Sequence, residues 1–599
     1  VPAHTAVLMH MFLLTFRTDR RTTLALLSIT LAQAALVPVT ALSQRWLVDR
    51  AIAGDAWGIA WTVAVGAAAF GVTALGQRVR FSLQLYLTER VKLRLVRELQ
   101  YLDAGVPTIG HLRDPAYLDR LTSVRQGSWV LAESFWAAVS AGAAALSLVL
   151  SVLLLFDVDP ALVLLVLFAV PLMIATRRAG KVVRAARDAC AQDIRLEQRL
   201  HELCIAQEPA KELRSSAAGE VLHGRALALW NRIVRTETRS RMAGAAWELG
   251  GWCVYAAGVF GAMWLVGTSI TRGEATIGDA VLVLSLAGQL QTQLGQVIRT
   301  AGQLAEAGHT GEHYRWLTSY AERRRRGGEP APSLLTEGIA LHGVSFRYPG
   351  ADHDALTDVD LTFSAGTTVA IVGANGAGKS TLVQLLTGME APTDGVITVD
   401  GRPLESIDHD SWRTRISAAY QDFARFRFRV FETVGAGQLS RMHDAAAIAS
   451  AVAEAGAKSE VAKLPDGPRT RLGPEFGGVE LSGGQWQKLA VARSAMRTQP
   501  LLLVLDEPTA ALDPHAEHLL YEHFAHRSSN GAARTGAIVV LVSHRFSTVR
   551  LADLIVVLSE GRVTEMGTHD ELMRKDGQYA AFYTVQERAY RRRAYRRRA

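Results

Sequence analysis

Gly373-Ala-Asn-Gly-Ala-Gly-Lys-Ser380 is the stretch on which the reading of this 599-residue chain turns. It fits the G-x-x-x-x-G-K-[ST] pattern of a phosphate-binding loop. Its flanks suit that pattern: residues 367–372 read as a buried strand, and residues 380–386 open a helix. Glycines let the backbone wrap closely, so that amide N–H groups converge on phosphate oxygens at a helix N-terminus. Lys379 is expected to neutralise the β- and γ-phosphates of a bound nucleotide, and Ser380 to ligate Mg²⁺. Downstream, residues 501–505 form a second apolar strand ending in Asp506 and Glu507. A carboxylate at a strand end beside such a loop suits Mg²⁺, and the next one can polarise an attacking water.

Working outward, the first 300 residues have a different character. Apolar runs long enough for a bilayer core fall near 22–44, 56–77, 134–156, 160–176, 249–271 and 280–298. Six such runs are too many for buried helices of a soluble domain. The first is too long for a cleaved leader and lacks a small-residue cleavage site, so it is expected to span. Between spans, short loops carry only Arg45, Arg50 and Arg272, whereas segments 78–128 and 177–248 are long and rich in Lys and Arg. The long loops, and with them both termini, are therefore expected in the cytoplasm. That placement accounts for the net charge of +8 without nucleic acid. The three cysteines, Cys190, Cys204 and Cys253, form no C-x-x-C pair, so zinc and redox motifs have no support.

Apolar residues recur at helical spacing through 83–102 and 185–203, so the spans are expected to continue as helices beyond the bilayer. Breaks fall at 105–115 and 207–209, where proline turns the chain, and short transverse helices are expected near 115–121 and 209–215. In the sixth span Gln289, Gln293, Gln296 and Gln303 recur at i, i+4, i+7 and i+14 on one helical face. Amides are costly in lipid, so this face should look into protein or water. It either lines a substrate path, through Gln289, Gln293 and Gln296, or hydrogen-bonds another helix. The charged stretch 322–326 followed by Gly327-Gly-Glu-Pro-Ala-Pro332 reads as a domain boundary. The chain is thus divided into 1–320, a six-helix membrane domain; 321–336, a linker; 337–588, a nucleotide-binding domain; and 589–599, a basic tail.

Leu481-Ser-Gly-Gly-Gln485 brings in a family, because this pentapeptide resembles the signature of ABC ATPases, and residues 337–588 resemble their nucleotide-binding domain. The resemblance implies roles position by position. Tyr348 would stack on adenine; Gly373, Asn375, Gly376, Gly378, Lys379, Ser380 and Thr381 would cradle the phosphates. Gln421 resembles the Q-loop glutamine that contacts Mg²⁺ and senses the membrane domain, alongside Ser380 and Asp506 at the metal. Ser482, Gly483, Gly484 and Gln485 would grip the γ-phosphate of ATP held by a second subunit. Asp513 resembles the D-loop aspartate, with Ala511 where serine is often found. Glu507 and His544 resemble the catalytic base and the switch histidine.

Six spans fused to this domain resemble an ABC exporter half-transporter over essentially the whole chain. The implied fold class is an all-α six-helix transmembrane domain of ABC exporter type plus an α/β P-loop NTPase domain. A finer likeness, to bacterial lantibiotic and peptide exporters, lies in Asp114-Pro-Ala-Tyr-Leu-Asp119, Lys211-Glu-Leu-Arg214, Gln421-Asp-Phe423 and Gly484-Gln-Trp-Gln-Lys488. The usual exporter segment before the signature is missing at 475–480. The resemblance implies an ATPase using ATP and Mg²⁺ in a bacterial cytoplasmic membrane, paired with a second half-transporter. It would move a peptide, lipid or amphiphile outward. Siderophore import by the same architecture, or one half of a heterodimer, are the alternatives.

Overall fold

The computed structural model describes residues 3–205, 209–324, 327–506, 535–543, 546–585 and 587. The chain divides into two compact units, Val1–Tyr101 with Arg120–Trp316, and Leu102–Asp119 with Leu317–Ala599.

The first unit is helical. Its elements are α1 (Ala3–Thr18), α2 (Arg20–Ile52), α3 (Ala56–Ala104), α4 (Pro115–Val158), α5 (Leu165–Ala189), α6 (Ala191–Ile205), α7 (Ala210–Ser215), α8 (Gly219–Thr271) and α9 (Ile277–Arg324). Among the described residues six helices are long and apolar enough to cross a membrane, α5 counting with the 3₁₀ turn Pro160–Leu164 before it. Each contains one of the six apolar runs, and α3, α8 and α9 continue far past them. Helix starts follow their caps. Asp19 accepts a hydrogen bond from the Thr22 backbone N–H at 3.1 Å, and Asp159 accepts one from Ala161 at 2.7 Å ahead of Pro160.

One expected element lies elsewhere. Residues 115–121 form no transverse helix, because Pro115 is the first residue of α4, where a missing N–H costs nothing. The short element is instead the 3₁₀ turn Gly110–Arg113. At 210–215 the expected short helix, α7, is present.

Two features hold the bundle. Gly244, Gly251 and Gly258 recur every seventh residue along α8 and face α5. A Cβ on Gly251 would lie 2.9 Å from the Leu172 Cα, and one on Gly258 2.6 Å from the Phe168 Cβ, so glycine sets how closely the two helices approach. At the ends of α2, α4 and α9, Arg45 reaches Asp279 at 2.8 Å, Asp157 at 3.6 Å and Asp49 at 4.0 Å.

The second unit is built on two sheets. One has four strands in the order β2-β1-β4-β5: β1 (Gly338–Phe346), β2 (Leu356–Ser364), β4 (Asp394–Val399) and β5 (Arg402–Pro403). The other has six in the order β10-β9-β3-β8-β7-β6: β3 (Thr368–Gly373), β6 (Ile416–Ala419), β7 (Leu502–Asp506), β8 (Ile538–Val542), β9 (Leu554–Ser559) and β10 (Arg562–Gly567). Strands β3, β6, β7, β8 and β9 run parallel, and β10 closes the edge antiparallel. Central strands covered on both faces read as unbroken apolar runs, as Leu502–Leu505 and Ile538–Val542 do. Helix α10 (Lys379–Leu386) follows β3. Helices α11 (His409–Thr414), α12 (Val430–Gly435), α13 (Ala445–Glu454), α14 (Lys458–Ala462) and α15 (Gly483–Ala495) come next.

Candidate functional site

The carboxyl ends of parallel strands are where such sheets bind ligands, and β3 ends there in the glycine loop. The loop's shape depends on glycine at two points. A Cβ on Gly373 would sit 2.2 Å from the Leu558 carbonyl oxygen; Gly378 has φ +99° and would meet the Ala355 carbonyl oxygen at 2.7 Å. Gly378 then serves as N-cap of α10. Lys379 folds back over the loop, its Nζ donating to the carbonyls of Gly373 (3.0 Å) and Ala374 (2.9 Å). These bonds hold the ammonium at the loop mouth.

A cavity of about 530 Å³ opens at this loop. It brings together Tyr348, Asn375, Gly376, Gly378, Lys379, Ser380, Thr381 and Gln421, residues read from three separate motifs. Tyr348 is fixed by hydrogen bonds between its hydroxyl and Thr381 Oγ1 (2.9 Å) and Gln384 Oε1 (3.3 Å), and by an edge contact with Phe346. Asp506 is buried at the end of β7, with the parallel register β7-β8-β3 carrying it to the same end of the sheet as the loop. Ser380, Gln421 and Asp506 are hard oxygen donors, the set that Mg²⁺ prefers.

Ser482, Gly483, Gly484 and Gln485 do not line this cavity. They form the start of α15, where Ser482 and Gln485 make a reciprocal capping box, Ser482 N–H donating to Gln485 Oε1 at 2.8 Å. Ser482 and Gly483 are exposed, so the amide-lined helix end is open to solvent and stands outside its own chain's cavity. Helix α15 is tied to the segment after Gln421. Arg493 donates to the carbonyls of Thr433 (3.1 Å) and Ala424 (3.0 Å), and burial pushes its guanidinium down to about 10. Gly437 leaves room for that crossing, since its Cβ would fall 1.9 Å from the Arg493 carbonyl oxygen. Glu507, Asp513 and His544 lie outside the described residues.

Sequence reasoning missed how residues 102–119 join this unit. Ile109 N–H donates to the Met389 carbonyl at 2.8 Å, and Arg413 donates to the Pro107 carbonyl. Arg113 pairs with buried Glu390 at 3.1 Å, hydrogen-bonds Gln384 at 3.3 Å, and lies 4.8 Å over the Tyr348 ring. The Glu390 carboxyl is raised by burial and drawn back by Arg113 and Arg324. In the sequence Arg113 was only one of several basic loop residues; nothing local marked it as a neighbour of Tyr348, more than 200 positions away.

In the first unit a cavity of about 430 Å³ lies among α2, α3, α4 and α9. Gln289, Gln293 and Gln296 all line it, whereas Gln303 is exposed and does not. Gln293 makes the helix–helix hydrogen bonds expected as one of the two readings, its Nε2 donating to Ser147 (2.8 Å) and Ser151 (3.2 Å) of α4, and it also lines the cavity.

Residues 356–510 match the family model described as ABC transporter. The chain carries an ABC transporter domain in an ABC exporter fold. The fold is shown by a bacterial Atm1-family ABC exporter solved with ATP bound, which superposes with a TM-score of 0.76 at 21% identity, covering 95% of this chain and 98% of that one. Curated relatives include an ATP-dependent lipid A-core flippase of Psychrobacter arcticus, 35% identical over 321 residues, 54% of this chain and 52% of that protein. Another is the mitochondrial iron-sulfur clusters transporter ATM1 of Gibberella zeae, 32% identical over 337 residues, 56% of this chain and 47% of that protein. The chain therefore aligns with about half the length of the curated relatives it matches. The ABC exporter fold explains why one chain holds both a six-helix membrane unit and a P-loop sheet.

Proposed function

We propose that the chain is one subunit of a dimeric ABC exporter that couples ATP hydrolysis to outward movement of an amphiphile, peptide or lipid. The observation that carries this reading is the cavity at the P-loop, which collects Tyr348, the loop and Gln421 in a chain whose described residues also include six membrane-length helices. Residues 1–320 act as the membrane domain, 337–588 as the motor, and 321–336 as the linker between them. The helices sit in the bacterial cytoplasmic membrane with the long basic loops and the motor in the cytoplasm, following the Lys/Arg bias.

In this scheme Tyr348 stacks on adenine, the loop amides and Lys379 hold the β- and γ-phosphates, and Gln421 meets the nucleotide from the far wall. Ser380, Gln421 and Asp506 hold Mg²⁺, which offsets phosphate charge when bound. Glu507 orients and polarises the attacking water, and His544 contacts the γ-phosphate. The solvent-exposed start of α15, with Ser482, Gly483, Gly484 and Gln485, receives the triphosphate of a second subunit, so ATP binds two motors together and its hydrolysis releases them. Because Arg113 touches both Tyr348 and Glu390, movement at the nucleotide reaches the ends of α3 and α4 through residues 105–114.

The test is ATP turnover by the protein reconstituted in lipid. Lys379→Ala lowers it on the order of 10²- to 10³-fold. Glu507→Gln retains bound ATP while turnover nearly vanishes. Wild-type turnover in both variants would overturn the assignment.

A further inference from the structure

The membrane cavity is polar in a particular way. Along α3, Thr73, Gln77 and Arg80 recur at helical spacing and face it; α2 adds Thr30 and Gln33, and α4 adds Ser140 and Ser147. Among the described residues that line it, every polar group is a neutral amide or hydroxyl except the guanidinium of Arg80, and none is a carboxylate. Among the described residues no Asp or Glu pairs with Arg80. A guanidinium at the rim of the layer with no carboxylate partner is left to an anion or to water. The amides have the opposite need. Gln293 is 7% exposed, and the Oε1 atoms of Gln289 and Gln293 are buried without a hydrogen-bond partner. Each is an acceptor that calls for an N–H or O–H donor.

The two needs are separated in depth. At 1.5 Å per residue Arg80 lies about 36 Å along α3 from Ala56, beyond a hydrocarbon layer of about 30 Å. Helix α9 starts at the same end of the bundle as α3, where Gly278 N–H donates to Asp49 of α2 at 3.0 Å. Gln289 and Gln293 lie about 18–24 Å along it, deeper in the layer than Arg80.

We infer that this cavity selects an amphiphile with an acidic head group, carboxylate or phosphate, whose charge is met by Arg80 and whose hydrogen-bond donors are met by Gln289 and Gln293. The inference rests on the exporter reading and narrows its substrate. Arg80 at the cytoplasmic rim fits a head group held at that level, with the body directed inward past the amides.

The test is direct binding to the full chain in nanodiscs of neutral lipid without ATP, corrected for empty discs. Its outcome is thereby independent of ATP turnover, and Lys379→Ala tests the exporter reading separately. The probes are N-dodecanoyl-triglycine, its uncharged methyl ester, and the analogue with a phosphate monoester in place of the carboxylate. The wild type should bind at least one acid about tenfold tighter than the ester, as one ion pair of about 1.4 kcal/mol gives; the tighter acid names the head group. Arg80→Gln should bring the acid-to-ester ratio to about one, and Arg80→Lys should keep it. Each variant is its own control, because a folding defect weakens acid and ester alike. Equal binding of acids and ester by the wild type, or a preference that survives Arg80→Gln, overturns the inference; the latter result would mean that Arg80 serves only lipid head groups.

Discussion

At Arg113 one guanidinium answers to three groups: the Glu390 carboxylate, the Gln384 amide and the face of Tyr348. Arg113→Ala leaves Glu390, 6% exposed, with its charge uncompensated on that side. The expected cost is about 1–2 kcal/mol, discounted because Arg113 is partly solvated. Thermal unfolding should show it as a lower midpoint, and ATP titration as weaker binding through a less constrained Tyr348; unchanged values in both would remove Arg113 from the coupling. His111, nearby, is 4% exposed and faces Asp103 at 3.5 Å with the Tyr117 and Tyr320 rings beside it. Burial lowers its pKa, Arg324 lowers it further, and Asp103 only partly restores it. A depressed folded value means that the unfolded chain takes up the proton first. The stability His111 contributes is therefore complete above about pH 6.5 and is lost as pH falls below that value. Unfolding midpoints measured from pH 8 to 5 should fall less steeply in His111→Gln than in the wild type; parallel curves would exclude His111 as the titrating group. At this scale the P-loop residues were legible because their chemistry fixes their spacing, and Gln421 only through the resemblance of its surroundings to a Q-loop. Arg113, His111 and Arg80 were not, since their roles come from neighbours supplied by distant parts of the chain.

Helices α5 and α8 meet through a glycine every seventh residue, and that periodicity makes a prediction about the element. Gly251→Leu forces a side chain into the Leu172 backbone and should cost about 1–3 kcal/mol or more by overpacking. Gly250, one residue away, has nothing within 4 Å of an added Cβ, so Gly250→Ala should be tolerated. Yield and thermal midpoint in detergent compare the two; equal behaviour would refute the close contact. The sequence showed α8 as an apolar run beginning at 249, yet the helix begins at Gly219. The extension was expected in kind, because the spans were read as continuing beyond the bilayer from the apolar spacing at 83–102 and 185–203, but the glycine seam was hidden: Gly250 and Gly251 read alike until the facing helix is in place. The misplaced transverse helix has a similar cause. Asp114-Pro115 looks like a stop in isolation, yet proline is equally at home in the first turn of a helix, and α4 uses it there.

For the whole molecule, the parallel sheet and the six spans were both readable, because unbroken apolar runs of five residues and of about 20 have few other uses. What the residues could not disclose was that 102–119 pack with the C-terminal unit, a matter of tertiary contacts rather than pattern. The central claim is that each nucleotide is held between the loop of one subunit and the start of α15 of another. The most direct test is ATP turnover by Ser482→Arg in lipid. Ser482 does not line its own chain's nucleotide cavity. A site completed by a second subunit predicts that turnover falls about as far as in Lys379→Ala, while loss of nucleotide binding to the isolated loop is not required. Turnover at the wild-type rate in Ser482→Arg would contradict it.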